Sequence, residues 1–185
     1  MIKRINIFGS SDKIKVLGAE RINRLLSLNI PSIGINHFVN YYPDVDYFIF
    51  MDSKTLDGVN YQGQKILTNN HIYKNCLKNN EKYNVAGTFE PNGIWGCVMN
   101  SGWFACWWAI QQGYTHIYLY GVMDGDNYKH CSNGKSVYNN IFTSNKEQHC
   151  FNNNEYFNFE KDIKTGYDKG IKIFRPLKET NICQI

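Results

Sequence analysis

The stretch NSGWFACWWAIQQGYTHIYLYG, residues 100–121, decides the fold. It opens on a polar Asn100-Ser101 pair, continues as an aromatic-heavy run, pauses at Gly113 and ends as an alternating run closed by Gly121. Serine is favoured where a helix starts, and glycine just past where one ends. The pattern therefore predicts a helix over residues 101–112 and a strand over residues 116–120. Trp103, Ala105, Trp107 and Ala109 spread around that helix, so it is expected to be buried on most sides, with its rings in the core. Its start is the exception. Ser101-Gly102 leaves unpaired backbone N–H groups at the positive end of a helix dipole, a setting that suits an anion.

Working outward, residues 5–8 form an apolar run bounded by Gly9-Ser10-Ser11-Asp12, a strand followed by a turn. Ile14, Leu17, Ile22, Leu25 and Leu26 then recur at helical spacing until Asn29 and Pro31 end the pattern. Residues 32–35 form the next apolar run, stopping at Asn36-His37-Phe38, and residues 47–51 a continuous one closed by Asp52. Residues 65–68 are expected as a strand, 72–77 as a short helix, and 78–98 as an exposed polar connection. Residues 124–158 read as loop, 160–169 as a helix stopped by Gly170, and 171–174 as a last strand before Pro176. Continuous apolar strands with intervening helices predict an α/β fold. The sheet should be mostly parallel, with helices on both faces, as one domain spanning residues 1–185.

Composition agrees with a globular chain: of 185 residues, 43% are hydrophobic and 19% charged. No apolar run approaches the roughly 20 residues of a membrane span. The N-terminal Met-Ile-Lys-Arg-Ile-Asn-Ile-Phe-Gly resembles a first strand rather than a signal peptide, so a cytoplasmic location is expected. Six cysteines show no C-x-x-C pair and read as free thiols; Cys131 and Cys150, near His130 and His149, give only a weak metal signal. A net charge of +4 suits an anionic small ligand but supplies no basic stripe. Sixteen lysines against four arginines, with abundant Asn, Ile and Tyr, is what AT-rich codons produce, as in many phage genomes. An aromatic content of 15% leaves room for self-association.

In a doubly wound sheet, ligands bind beyond the carboxyl ends of the strands. Those ends carry Gly9, Ser10 and Ser11, then Asn36-His37, Asp52, and Gly121 with Asp124 after it. Glycine lets backbone approach a ligand, and Ser or Asn donates to phosphate oxygens. Ordinary turns use the same residue types, so the joint pattern carries the expectation. Neither G-x-G-x-x-G nor G-x-x-x-x-G-K-[ST] follows a strand, which disfavours nicotinamide, flavin and P-loop readings. His149 and His130 lie in the long polar segment before the last helix, where a histidine can serve as general base near neutral pH.

Ser101-Gly102, the apolar helix, Gly113-Tyr114 and Ile117-Tyr118-Leu119-x-Gly121 resemble the core motif of small bacterial sialyltransferases. Related Rossmann-like proteins, including archaeal pterin pyrophosphokinase-like ones, share it. The strand ending Ile35-Asn36-His37-Phe38 is similar to the family strand whose Asn contacts a cytidine nucleotide, and residues 160–174 match the closing helix and strand. The resemblance implies a metal-independent glycosyltransferase with no cofactor beyond its nucleotide-sugar substrate. His149 takes the place of the catalytic base, and Tyr128 and Tyr138 are candidates for the phosphate-binding tyrosines. Asn100 and Asp52 stand where the family has Thr and Asn. Two alternatives stay open: a diphosphotransferase using magnesium on Asp52, Asp124 and Asp126, and a non-catalytic nucleotide binder. The sugar, the nucleoside and the acceptor are not specified by these residues.

Overall fold

A computed structural model describes residues 1–10, 12–51, 53–56, 59, 65–79, 83–89, 101–122 and 170–174. In chain order the elements are β1 (Arg4–Phe8), α1 (Gly18–Ser27), β2 (Ser32–Ile35), β3 (Tyr47–Ile49), β4 (Lys65–Asn69), α2 (Asn70–Ile72), β5 (Val85–Phe89), α3 (Ser101–Gln111), β6 (His116–Tyr120) and β7 (Lys172–Phe174). The strands form one seven-stranded sheet in the order β5-β4-β3-β2-β1-β6-β7. Every pairing is parallel, so the sheet is parallel throughout rather than mostly so. The chain steps outward from β1 to β5 and resumes on the other side of β1 with β6. The direction of winding therefore reverses between β1 and β6, at the centre of the sheet.

Alternation along the strands sorts the core into two layers. Ile5, Ile7, Ile33, Ile49, Leu67, Ile117 and Leu119 pack with Phe104, Ala105, Cys106 and Ala109 of α3. Phe8, Phe48, Phe50, Ile66 and Tyr120 face the other way, onto Ile22 and Leu25 of α1 and Ile72 of α2. Helices thus cover both faces. Phe8, Phe48 and Phe50 are fully buried, and each such side chain stabilises the fold by roughly 1.5–3 kcal/mol. On the second face Phe8 stacks between Phe38 and Tyr120, with ring centroids 5.1 and 5.0 Å away.

Four expectations change in the structure. The helix anticipated from Ile14 onward begins as a 3-10 stretch, Asp12–Leu17, and becomes α-helical only at Gly18, whose φ of 73° interrupts the pattern. The third strand ends at Ile49 rather than Met51. α2 is one turn long and runs on as a π-helical turn, Tyr73–Leu77. The fourth change is the largest: β5 lies inside the segment expected to be an exposed connection. Val-Ala-Gly-Thr-Phe is weakly apolar because β5 pairs only with β4 among the described strands and leaves Ala86 and Thr88 exposed. The helix anticipated over 160–169 and the loop over 124–158 lie outside the described residues.

Across β1, β6 and β7 the register sets Arg4, His116 and Lys172 side by side. The imidazole of His116 is held below its ordinary pKa of 6.5, first by burial and then by the charges of Lys172 and Arg4. A depressed folded value means that the unfolded chain binds the proton more readily. Stability is accordingly full above 6.5 and is lost as pH falls from there through the folded value. Thermal midpoints measured from pH 7.5 downward should decline below pH 6.5, and His116→Gln should shallow that decline. An equal decline in the variant would assign it to other groups.

Candidate functional site

Three neighbouring strands, β2, β1 and β6, deliver their carboxyl ends to one edge of the sheet at the reversal point. This is the edge at which open parallel sheets take their ligands. The exits of β1 and β6 run directly against each other. Gly9 N–H donates to the Tyr120 carbonyl at 2.8 Å. A Cβ on Gly9 would lie 2.1 Å from the Gly121 carbonyl oxygen and 2.8 Å from its carbon. Gly9 is thus required by backbone-to-backbone approach, and Gly121 turns the chain away with a φ of 62°. Ser10, the next residue on β1's exit, is fully buried.

The exit of β2 is built differently. Asn36 has a φ of 52°, in the left-handed region that non-glycine residues seldom occupy and that asparagine tolerates best. This conformation ends β2 and starts the 3-10 turn Asn36–Asn40, whose Phe38 and Val39 are buried. The Asn36 side chain accepts a hydrogen bond from Ser101 Oγ at 3.2 Å, across 65 positions of sequence. Ser101 is the first residue of α3 and only 7% exposed; Gly102 beside it is buried. With its carbonyl oxygen engaged, Asn36 keeps Nδ2 as a donor that makes no protein hydrogen bond among the described residues. Backbone bent into a sparsely populated region, held by a long-range side-chain bond, is a recurrent feature of ligand sites.

Of the residues anticipated from sequence, Gly9, Ser10, Asn36, Ser101, Gly102 and Gly121 come to this one edge. Ser11, Asp52, Asn100, Asp124, Asp126, Tyr128, Tyr138 and His149 lie outside the described residues. Two residues not singled out from sequence shape the adjoining exit of β3. Thr68 Oγ1 donates to the Phe50 carbonyl at 3.0 Å, and Asn69 Nδ2 reaches that of Met51 at 3.5 Å. Asn69 also caps α2, its Oδ1 accepting from Ile72 N–H at 2.7 Å. The Thr-Asn-Asn run after an apolar strand was the signal, since such residues both cap helices and tie turns.

Two Asp-x-Asp spacings, Asp44-Val45-Asp46 and Asp124-Gly125-Asp126, are present in the chain. The first is structural. Asp46 Oδ2 accepts from Ser32 N–H at 2.7 Å and Ser32 Oγ at 2.9 Å, fastening the starts of β2 and β3 at the opposite edge. At that edge, too, lies a groove lined by Ile2, Lys3, Arg4, Asn29, Ile30, Pro31 and Tyr114. Lys3 is committed there, its Nζ donating to the Gln112 carbonyl at 2.6 Å beyond the end of α3. The groove is remote from the strand exits and shares none of the candidate residues. Among the described residues no group of three or more His, Cys, Asp or Glu side chains comes together, and Cys76 and Cys106 form no disulfide. No described helix is long and apolar enough to cross a membrane.

Compared with known proteins, the sequence matches no protein-family model and no curated protein.

Proposed function

We propose that the carboxyl edge of β2, β1 and β6 binds a nucleotide or nucleotide-sugar, and that the protein transfers the sugar to an acceptor hydroxyl. One observation carries the reading: the Ser101–Asn36 hydrogen bond, which joins a helix start to a strand exit and leaves the Asn36 amide donor unengaged among the described residues. An N–H donor beside the positive end of an eleven-residue helix fits a ligand with both polar base or ribose atoms and a phosphate. The glycosyltransferase assignment rests on the resemblance of residues 100–121 and of the Asn36 strand to small sialyltransferases.

On this reading the acceptor oxygen attacks the anomeric carbon of the donor while the bond from that carbon to the phosphate oxygen breaks. His149 takes the acceptor's proton as general base. The departing nucleoside phosphate carries the displaced electron pair and is stabilised by Tyr128 or Tyr138 and by the Ser101 helix start. No metal is required. A second reading is favoured by Asp124-Gly125-Asp126, a carboxylate pair at the spacing that suits a hard cation, with Asp52 as a third candidate ligand. It makes the protein a magnesium-dependent diphosphotransferase.

A thermal-shift screen of CMP, UDP, GDP, ADP, ATP and their sugar conjugates, with and without magnesium, separates these readings. A ligand at about 100 times its dissociation constant stabilises the fold by about 2.7 kcal/mol. For a chain of this size that is roughly 5–10 °C. The expected result is a metal-independent shift with one nucleoside phosphate and its sugar conjugate. A shift confined to ATP with magnesium would replace the transferase with the diphosphotransferase. A shift without turnover of any donor would leave a binder, and no shift at all would remove the nucleotide site.

A further inference from the structure

The face of β1, β6 and β7 that looks toward the α1 side carries a second arrangement of chemistry, apart from the carboxyl-edge site. Residues in register on parallel strands project to the same side. The Arg4–His116–Lys172 row is therefore followed, two residues along, by a row of Asn6, Tyr118 and Phe174. Arg4 and Lys172 are exposed, and neither makes an ion pair or side-chain hydrogen bond among the described residues. Two cations thus flank an imidazole, with no carboxylate beside them among the described residues.

The second row is aromatic. The rings of Tyr118 and Phe174 stack at 4.8 Å with 13° between planes, and His116 lies against Phe174 at 5.9 Å and 29°. Tyr118 and Phe174 remain partly exposed. At the inner end of the row Asn6 is 2% exposed, and its Nδ2 is a buried donor with no hydrogen-bond partner among the described residues. A buried donor of this kind is costly when left unsatisfied.

We propose that this face binds single-stranded nucleic acid. Arg4 and Lys172 hold phosphates, with the His116 ring N–H beside them as a donor, while the exposed parts of Tyr118 and Phe174 stack an unpaired base. Cations alone would suit any polyanion, and rings alone any apolar partner. Their adjacent rows suit a strand whose charges and π-faces alternate at short range. A duplex keeps its base faces covered and would use only the first row. An acidic peptide would likewise leave the rings idle.

The test is fluorescence anisotropy with labelled oligo-dT and oligo-U of about ten nucleotides, a length on the scale of single-strand sites. Wild-type protein should bind one of them at about 50 mM salt. The log–log salt slope should be about −1.4, the value for two phosphates. Arg4→Glu/Lys172→Glu alters only exposed side chains and should weaken binding at least about tenfold at an unchanged thermal midpoint. Phe174→Leu keeps apolar volume and should lose about fivefold or more. If that variant fails to fold, the charge variant decides alone. Absence of binding, indifference to the charge variant, or equal affinity for duplex or polyglutamate would overturn the proposal. Displacement by excess mononucleotide would also overturn it, by moving the strand to the carboxyl-edge site.

Discussion

Gly9→Ala should destabilise the protein by about 3 kcal/mol or more, the upper end of what overpacking a core position costs. The added methyl would sit 2.1 Å from the Gly121 carbonyl oxygen and 3.0 Å from Val122 Cγ2. The first of these obstacles is backbone, so no rotamer change relieves it. To make room, β1 and β6 must separate where Gly9 N–H bonds the Tyr120 carbonyl, at the centre of the sheet. In a chain of this size the thermal midpoint should fall by roughly 6–12 °C. Gly113→Ala supplies the control. Gly113 has a positive φ, 78°, and nothing lies within 4 Å of its missing Cβ, so only left-handed strain of about 1–2 kcal/mol is expected. If the two variants melt alike, the β1 and β6 exits do not meet as described.

The second large effect is on chemistry. His149→Ala should reduce turnover by about 10²–10⁴-fold, the usual contribution of a positioned general base. Nucleotide affinity should stay nearly constant, because the proposed base touches the acceptor and not the nucleoside phosphate. The prediction rests on the proposed function and on the place of His149 before the last strand. Initial rates of sugar transfer or donor hydrolysis, paired with a binding isotherm for the nucleotide alone, separate the two quantities. Unchanged turnover would remove His149 from the mechanism. Equal loss of binding and turnover would make it a binding residue instead.

Much of the architecture was legible because a parallel sheet writes itself as continuous apolar runs. Ile5–Phe8 and Ser32–Ile35 were readable since both of their faces are buried, and His116–Tyr120 because half-buried His116 and Tyr118 alternate with buried Ile117 and Leu119. β5 escaped for the converse reason: with one described neighbour and two outward residues exposed, Val85–Phe89 has no need of a strong apolar pattern. The break at Gly18 was hidden because Ile14 and Leu17 keep helical spacing while the backbone tightens to 3-10 geometry.

Within the candidate site, residue types at strand exits singled out Gly9, Asn36 and Ser101, yet not the contacts each makes. Gly9 answers to the Gly121 backbone, a contact across 112 positions that no local pattern encodes. The left-handed turn at Asn36 follows a β-strand without any glycine to announce it. Its partnership with Ser101 depends on α3 returning over β1 and β2, which only the strand order reveals.

The proposed function requires a nucleotide at the edge where Asn36 meets Ser101. Isothermal titration of the nucleotide that gives the largest thermal shift, into wild type and Asn36→Ala, tests it most directly. Losing a ligand hydrogen bond and the Ser101 tether should weaken binding at least about tenfold, as for a bond worth about 1.4 kcal/mol or more. Ser101→Ala should weaken it in the same direction at a near-native thermal midpoint. Wild-type affinity in a folded Asn36→Ala protein would contradict the claim and place the nucleotide elsewhere.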